Sequence, residues 1–293
     1  MRGSGSPLAA APATGDCGHS ASWRCGPSRN FFGLFWNDHS TKKGSMDMTS
    51  TASEKPRNAL VFGGSRGIGA AIARRLAHEG FSVALTYVSS PDKAREVCDA
   101  ISAAGAKAVA IHADSGEPAA IRRAVAEATD QLGLLDVAVI NAGVLRLGSI
   151  ESFNPEDLDL LLDVNVRGVF LAMQASTAAM RDGGRIITIG SNTAIRTGAA
   201  GGSAYAMTKA AVASLVKTAA LDLAPRQITV NNLQPGPTAT DMTAGMADWL
   251  QQKIPLRRLN NPDDIASAVC FLAGNGASLI TGTSITIDGG YVL

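Results

Sequence analysis

The chain has 293 residues, 46% apolar and 17% charged, a balance too hydrophobic for disorder and long enough for one large or two modest domains. Its 26 Lys and Arg against 25 Asp and Glu leave a net charge of +1, which excludes the basic footprint of a nucleic-acid binder. No run approaches the roughly 18 apolar residues of a membrane span. The four scattered cysteines (17, 25, 98 and 270) fit a reducing compartment, so a soluble cytoplasmic protein is expected.

Residues 1–56 differ from the rest. Five aromatics (Trp23, Phe31, Phe32, Phe35 and Trp36) fall in or near this stretch's middle, yet it shows neither helical nor strand periodicity. A signal peptide needs an apolar core of about 7–15 residues; here Arg2 leads only to Leu8–Ala11 before Pro12. Cys17, His19 and Cys25 fall short of the four ligands of a closed zinc site, and no metal is expected. The expectation is a disordered extension over 1–56, with Met46 and Met48 as candidate starts, ahead of one folded domain over 57–293.

From Arg57 strands and helices alternate. Residues 57–62 read as a buried strand, Gly63–Gly69 as a tight turn, and the helix that follows stops at Gly80. Strand patterns recur at 82–87, 108–112, 137–141, 185–190, 228–233 and 284–287. Helical stretches lie at 91–104, 117–132, 155–180, 203–224 and 262–273. Strands separated by helices of this length need crossover connections. The predicted fold is therefore α/β, a single doubly wound domain of Rossmann type with a parallel sheet of about seven strands and helices on both faces.

The first turn, Gly63-Gly64-Ser65-Arg66-Gly67-Ile68-Gly69, lies where helix N-terminal N–H groups can receive a phosphate. It also fits G-x-S-x-G, the nucleophile elbow of α/β-hydrolases. That chemistry needs a histidine after the serine and its acid, but the four histidines (19, 39, 78 and 112) all precede residue 113, and His78 lies in the helix that Ser65 opens. A hydrolase would have no general base. Farther on, Tyr205 and Lys209 stand four apart in a helical stretch, on one face and within mutual reach. An ammonium beside a phenol lowers its pKa and makes it a usable acid and base. Ser191 ends the fifth strand, at the sheet edge where ligands of open α/β sheets bind.

Taken together, these motifs resemble the short-chain dehydrogenase/reductase family, over residues 57–293. The match rests on Gly63, Gly67 and Gly69, Asp114, Asn141-Ala142-Gly143, Asn165, Ser191, Tyr205 with Lys209, Pro235-Gly236 and Asp288-Gly289-Gly290. Two departures stand out: Phe62 where a threonine usually precedes the first glycine, and 14 residues between Ser191 and Tyr205, about one more than common. The resemblance implies that Tyr205 passes a proton to a carbonyl oxygen while nicotinamide supplies hydride. Ser191 would hold that oxygen, Lys209 would bind the nicotinamide ribose and lower the Tyr205 pKa, and Asn165 would hold a water leading to solvent. Asn141, Ala142 and Gly143 would lie under the adenine ribose, Asp114 against adenine, and Pro235, Gly236 and Thr238 beside the nicotinamide. The turn residues Gly63, Ser65, Arg66, Gly67, Ile68 and Gly69 would carry the phosphates.

The second strand ends at Tyr87-Val88-Ser89-Ser90 with no carboxylate to hold a ribose 2′-hydroxyl; the first acid is Asp92. With Arg66 as a cation and Ser89 and Ser90 as hydroxyl donors, NADP(H) is expected in preference to NAD(H). The substrate, a small-molecule carbonyl, is expected among Val144–Leu147, Asn192–Ala200 and Ala239–Pro255, with Arg146, Arg196, Met242, Met246 and Trp249 as candidate walls. Similar motifs occur in 3-oxoacyl-carrier-protein reductases. The turn, the Tyr87 region and Gln234–Thr238 also resemble cyclic-di-GMP-binding biofilm-dispersal proteins, which leaves a regulatory binder of a cyclic dinucleotide as the alternative. The family further implies a homo-oligomer, dimer or tetramer, through helices 155–180 and 203–224.

Overall fold

Seven parallel strands form one sheet in the order β3-β2-β1-β4-β5-β6-β7. They are β1 (Arg57–Phe62), β2 (Phe81–Tyr87), β3 (Ala108–His112), β4 (Leu135–Ile140), β5 (Met180–Ile189), β6 (Thr229–Pro235) and β7 (Ser284–Ile287). The computed structural model describes residues 57–197 and 200–293; the extension expected over 1–56 lies outside the described residues.

The strands read as near-continuous apolar runs because both faces of the sheet are covered. Side chains alternate between faces with period two. Ala59 and Val61 of β1 pack with α1 (Gly67–His78), α2 (Pro91–Ala103) and α8 (Pro262–Ala273), through Ile72, Leu76, Val97, Ile101, Val269 and others. Leu60 and Phe62 face the opposite layer, made by α3 (Pro118–Leu132), α5 (Gly168–Ala178) and α6 (Ser203–Leu223). Phe62, 1% exposed, is a core residue of that second layer. Burying such a ring is worth about 1.5–3 kcal/mol, which gives position 62 a packing role in place of the usual hydroxyl.

The helix expected over 155–180 is three pieces: α4 (Pro155–Leu162), a π turn at Asp163–Arg167, and α5. Gly168 sits directly after the π turn, where a Cβ would lie 2.2 Å from the Ser115 carbonyl oxygen. Helix and the loop after β3 thus touch through backbone. Met180 belongs to β5, not to the helix, because it pairs with Leu135 before the register shifts to Val137 opposite Arg185. A seven-residue helix, α7 (Ala247–Lys253), lies within Ala239–Pro255, the stretch expected to line the substrate pocket. Among the described residues no helix is long and apolar enough to cross a membrane.

Strand order reverses between β1 and β4, whose neighbours on the far sides are β2 and β5. At such a switch point the loops after the two central strands part and leave a crevice at the C-terminal edge.

Candidate active site

The turn after β1 is held from both neighbouring strands. The Gly63 N–H donates to Thr86 Oγ1 of β2 at 2.9 Å, and Asn141 Nδ2, just after β4, donates to the Gly63 carbonyl at 2.8 Å and to that of Phe62 at 3.3 Å. Thr86, buried, supplies the hydroxyl that Phe62 cannot; it is a site residue the sequence alone did not single out. A Cβ on Gly63 (φ +73°) would lie 3.0 Å from Ala142 Cα, and one on Gly69 would lie 2.0 Å from the Gly63 carbonyl oxygen, so neither position has room for a side chain. Helix α1 starts at Gly67 with no side-chain cap from Arg66 and no acid in its first turn. Its N-terminal N–H groups therefore remain suited to an anion. Ile68 packs partly on the core, so only its backbone can face a ligand, whereas Ser65 is half-buried and Arg66 exposed.

Ser191 follows β5 directly and is buried. Its Oγ accepts from the Thr193 N–H at 3.2 Å and from the Thr193 hydroxyl at 3.0 Å, which leaves its own proton to donate. Tyr205 lies in the first turn of α6, half-buried, with Lys209 one turn on and buried. Lys209 Nζ donates to the Ile189 carbonyl at 3.1 Å and stands 5.6 Å from the Tyr205 ring centre. A Cβ on Gly143 would lie 3.3 Å from Asn165 Oδ1 and 3.5 Å from Lys209 Nζ, so the bare Gly143 backbone lies against both polar ends. Asn165, in the π turn, accepts from the Val144 N–H and donates to the Val144 carbonyl, each at 2.9 Å, and also donates to Thr208 Oγ1 at 3.3 Å. Thr208 in turn donates to the Tyr205 carbonyl at 2.7 Å. What this geometry gives Asn165 is a tie between the segment after β4 and helix α6.

Burial pushes the Tyr205 phenol up to about 12, with a hydrogen bond from Ser191 pulling the other way. Burial also pushes Lys209 down to about 8. The lowered Tyr205 pKa expected from a neighbouring ammonium is thus not what the polypeptide alone provides. Desolvation dominates at both groups, and the ammonium directs its hydrogen bond to the Ile189 carbonyl.

At the end of β2, Tyr87 is half-buried and meets His112 edge-on, ring centres 5.5 Å apart. Ser89 is exposed, and Ser90 precedes α2 without a capping bond from its side chain. Arg66 and Lys93 both lie 3.6 Å from Asp241 Oδ2; neither Lys93 nor Asp241 was singled out from sequence. Asp114 accepts from the Gly116 N–H at 2.8 Å in an Asx turn. Pro235 is buried at the end of β6, and the Thr238 hydroxyl donates to the Gly236 carbonyl at 2.9 Å. A Cβ on Gly236 would lie 2.3 Å from Asp288 Cβ, and Asp288 accepts from Asn192 Nδ2 at 3.2 Å and from the Gly290 and Val292 N–H groups. The closing Asp288-Gly289-Gly290 motif therefore clips the C-terminus to the loop that carries Ser191. Of the arginines expected to face substrate, Arg146 pairs with Asp157 at 2.8 Å and Arg196 donates to the Leu293 carbonyl at 2.6 Å. Leu147, Ile195, Met242, Met246 and Trp249 remain exposed.

Residues 63–292 match the profile of the family described as enoyl-(acyl carrier protein) reductase. The 3-oxoacyl-[acyl-carrier-protein] reductase of Staphylococcus aureus is 40% identical over 243 residues, covering 81% of this chain and 98% of that protein. A solved short-chain dehydrogenase/reductase from Serratia marcescens is 50% identical, with a TM-score of 0.79 over 81% of this chain and 98% of its own. A short-chain dehydrogenase from Burkholderia cenocepacia, solved in complex with NADP, is 45% identical with the same TM-score and coverage. With its parallel seven-stranded sheet and its serine, tyrosine and lysine gathered at one edge, the chain belongs to the short-chain dehydrogenase/reductase family of oxidoreductases.

Proposed function

We propose that this protein is an NADP(H)-dependent oxidoreductase that interconverts ketones and secondary alcohols, with Tyr205 moving the proton. The observation that carries the reading is the convergence of Ser191, Tyr205 and Lys209 beside the bare backbone of Gly143, at the edge where the glycine turn also opens.

The residues present fit a phosphorylated dinucleotide. The turn Gly63–Gly69 is a backbone cradle that a Cβ would fill, α1 offers uncapped N–H groups, and Arg66 and Lys93 stand where no carboxylate ends β2. The complex of the Burkholderia relative with NADP supports the same cofactor. When bound, the nicotinamide supplies or accepts hydride. Lys209 and the Asn141–Gly143 segment would hold the ribose hydroxyls, and Asp114, through the oxygen outside its Asx turn, the adenine.

With its pKa near 12, Tyr205 keeps its proton at neutral pH, the state needed to give it to a carbonyl oxygen. Ser191, its lone pairs engaged by Thr193, would donate to that same oxygen and stabilise the charge that develops there. The paired arginines and the exposed Met242, Met246 and Trp249 favour an apolar substrate body over an anionic one. We also assign the protein to the cytoplasm, on its few scattered cysteines, and to a homo-oligomer, on the exposed Leu162, Phe170 and Leu221 of α4, α5 and α6.

The test is NADPH oxidation with ketones and 3-oxoacyl thioesters beside α,β-unsaturated thioesters. Carbonyl substrates should turn over, and Tyr205→Phe should cut kcat roughly a hundred- to ten-thousandfold while NADPH binding persists. Near-normal ketone reduction by Tyr205→Phe, or reduction of the unsaturated thioesters alone, would overturn the reading.

A further inference from the structure

Three parts of the chain bring charge to one point. Arg66 enters from the glycine turn, Lys93 from the first turn of α2, and Asp241 from the segment after β6; Arg66 Nη1 and Lys93 Nζ are each 3.6 Å from the same oxygen, Asp241 Oδ2. The three side chains are 63%, 52% and 71% exposed, so burial does not force them together. Two cations converging on one oxygen form an anion site, and here the chain fills it with its own carboxylate. Beside it lies a recess of about 390 Å³ whose walls carry Arg66, Arg74 and Lys93 against Glu96 and Asp263. Asp92, the one acid of the first α2 turn, is turned to Arg95 at 3.6 Å and does not compete for Lys93.

A phosphate monoester near pH 7 carries about −1.5 to −2 charges and three acceptor oxygens, against one charge for a carboxylate. It is the stronger partner for a guanidinium and an ammonium set this close. Resting on the NADP(H) reading above, we propose that Asp241 is an internal anion that the ribose 2′-phosphate displaces from Arg66 and Lys93. Asp241 is then a specificity-determining residue, because a nucleotide without the 2′-phosphate has nothing to exchange for it.

The experiment uses the full chain and two probes, 2′,5′-ADP and 5′-AMP, titrated by calorimetry into wild type, Asp241→Asn and Lys93→Met. Asp241→Asn should tighten 2′,5′-ADP by about two- to fivefold, the scale of exposed ion pairs, and leave 5′-AMP unchanged. Lys93→Met should weaken 2′,5′-ADP by about two- to tenfold, again without effect on 5′-AMP. Wild type binding both probes equally would remove the NADP(H) reading and this one with it. If wild type prefers 2′,5′-ADP but Asp241→Asn binds it no more tightly, the cofactor reading stands and the displacement is refuted.

Discussion

Asn165 and Val144 hold each other twice: the Val144 N–H donates to Asn165 Oδ1 and Asn165 Nδ2 donates to the Val144 carbonyl, both at 2.9 Å. One side chain thereby pairs both polar groups of a residue in the loop after β4. Because Gly143, the residue before Val144, lies against Lys209, the pair sets the floor of the site from the π turn.

Removing it should loosen that floor. Asn165→Ala leaves the Val144 groups without their partner, and such losses cost about 1–3 kcal/mol. Urea denaturation should show that loss, and NADPH affinity should fall with it. Unchanged stability would mean that Val144 finds other partners at no cost.

Lys209 predicts a tilt of stability with pH. Unfolded it titrates near 10.5 and in the fold near 8, so between these values the unfolded chain holds a proton that the folded chain has released. Stability therefore rises with pH across that window, by roughly 3 kcal/mol at most. Tyr205 acts the other way: its pKa is 10.0 unfolded and about 12 folded, so the folded chain keeps the proton and stability falls as pH climbs from 10 to 12. Lys209→Met should abolish the rise between about pH 8 and 10 and leave the later fall. Urea melts across this range test it; a constant difference between wild type and variant would show that burial does not penalise the ammonium.

Two glycines separate crowding from backbone freedom. Gly69→Ala forces a Cβ to 2.0 Å from the Gly63 carbonyl oxygen, a backbone atom that cannot turn aside. It should displace the turn, lower the melting temperature and abolish measurable NADPH binding. Gly80→Ala has open space and meets only the strain of φ +86°, so it should cost about 1–2 kcal/mol and leave NADPH affinity intact. Equal NADPH affinity in both variants would take the phosphate cradle away from the turn.

The order of strands and helices and the parallel sheet were legible from sequence, as was the spacing of Tyr205 and Lys209, which the fold brings to one edge with Ser191. Their signals are local: apolar runs, glycine stops, and a spacing of four on one helix face. The break in the long helix was not legible, because the π turn at Asp163–Arg167 and the contact of Gly168 with the Ser115 carbonyl depend on a loop some 50 residues away. Nor was Thr86, which looks like any strand threonine until β1 lies beside β2 and its hydroxyl meets the Gly63 N–H. The raised Tyr205 pKa of the bare polypeptide was not legible for a related reason. Sequence shows the ammonium one helical turn away, but only packing sets how much water both groups lose, and here that loss raises the phenol and lowers the ammonium. Lys93 and Asp241 lie 148 residues apart in sequence and reach the same point as Arg66 only through the tertiary fold. Short-range chemistry is written along the chain, whereas desolvation and convergence from distant segments exist only once the sheet and its two helical layers have closed around the site.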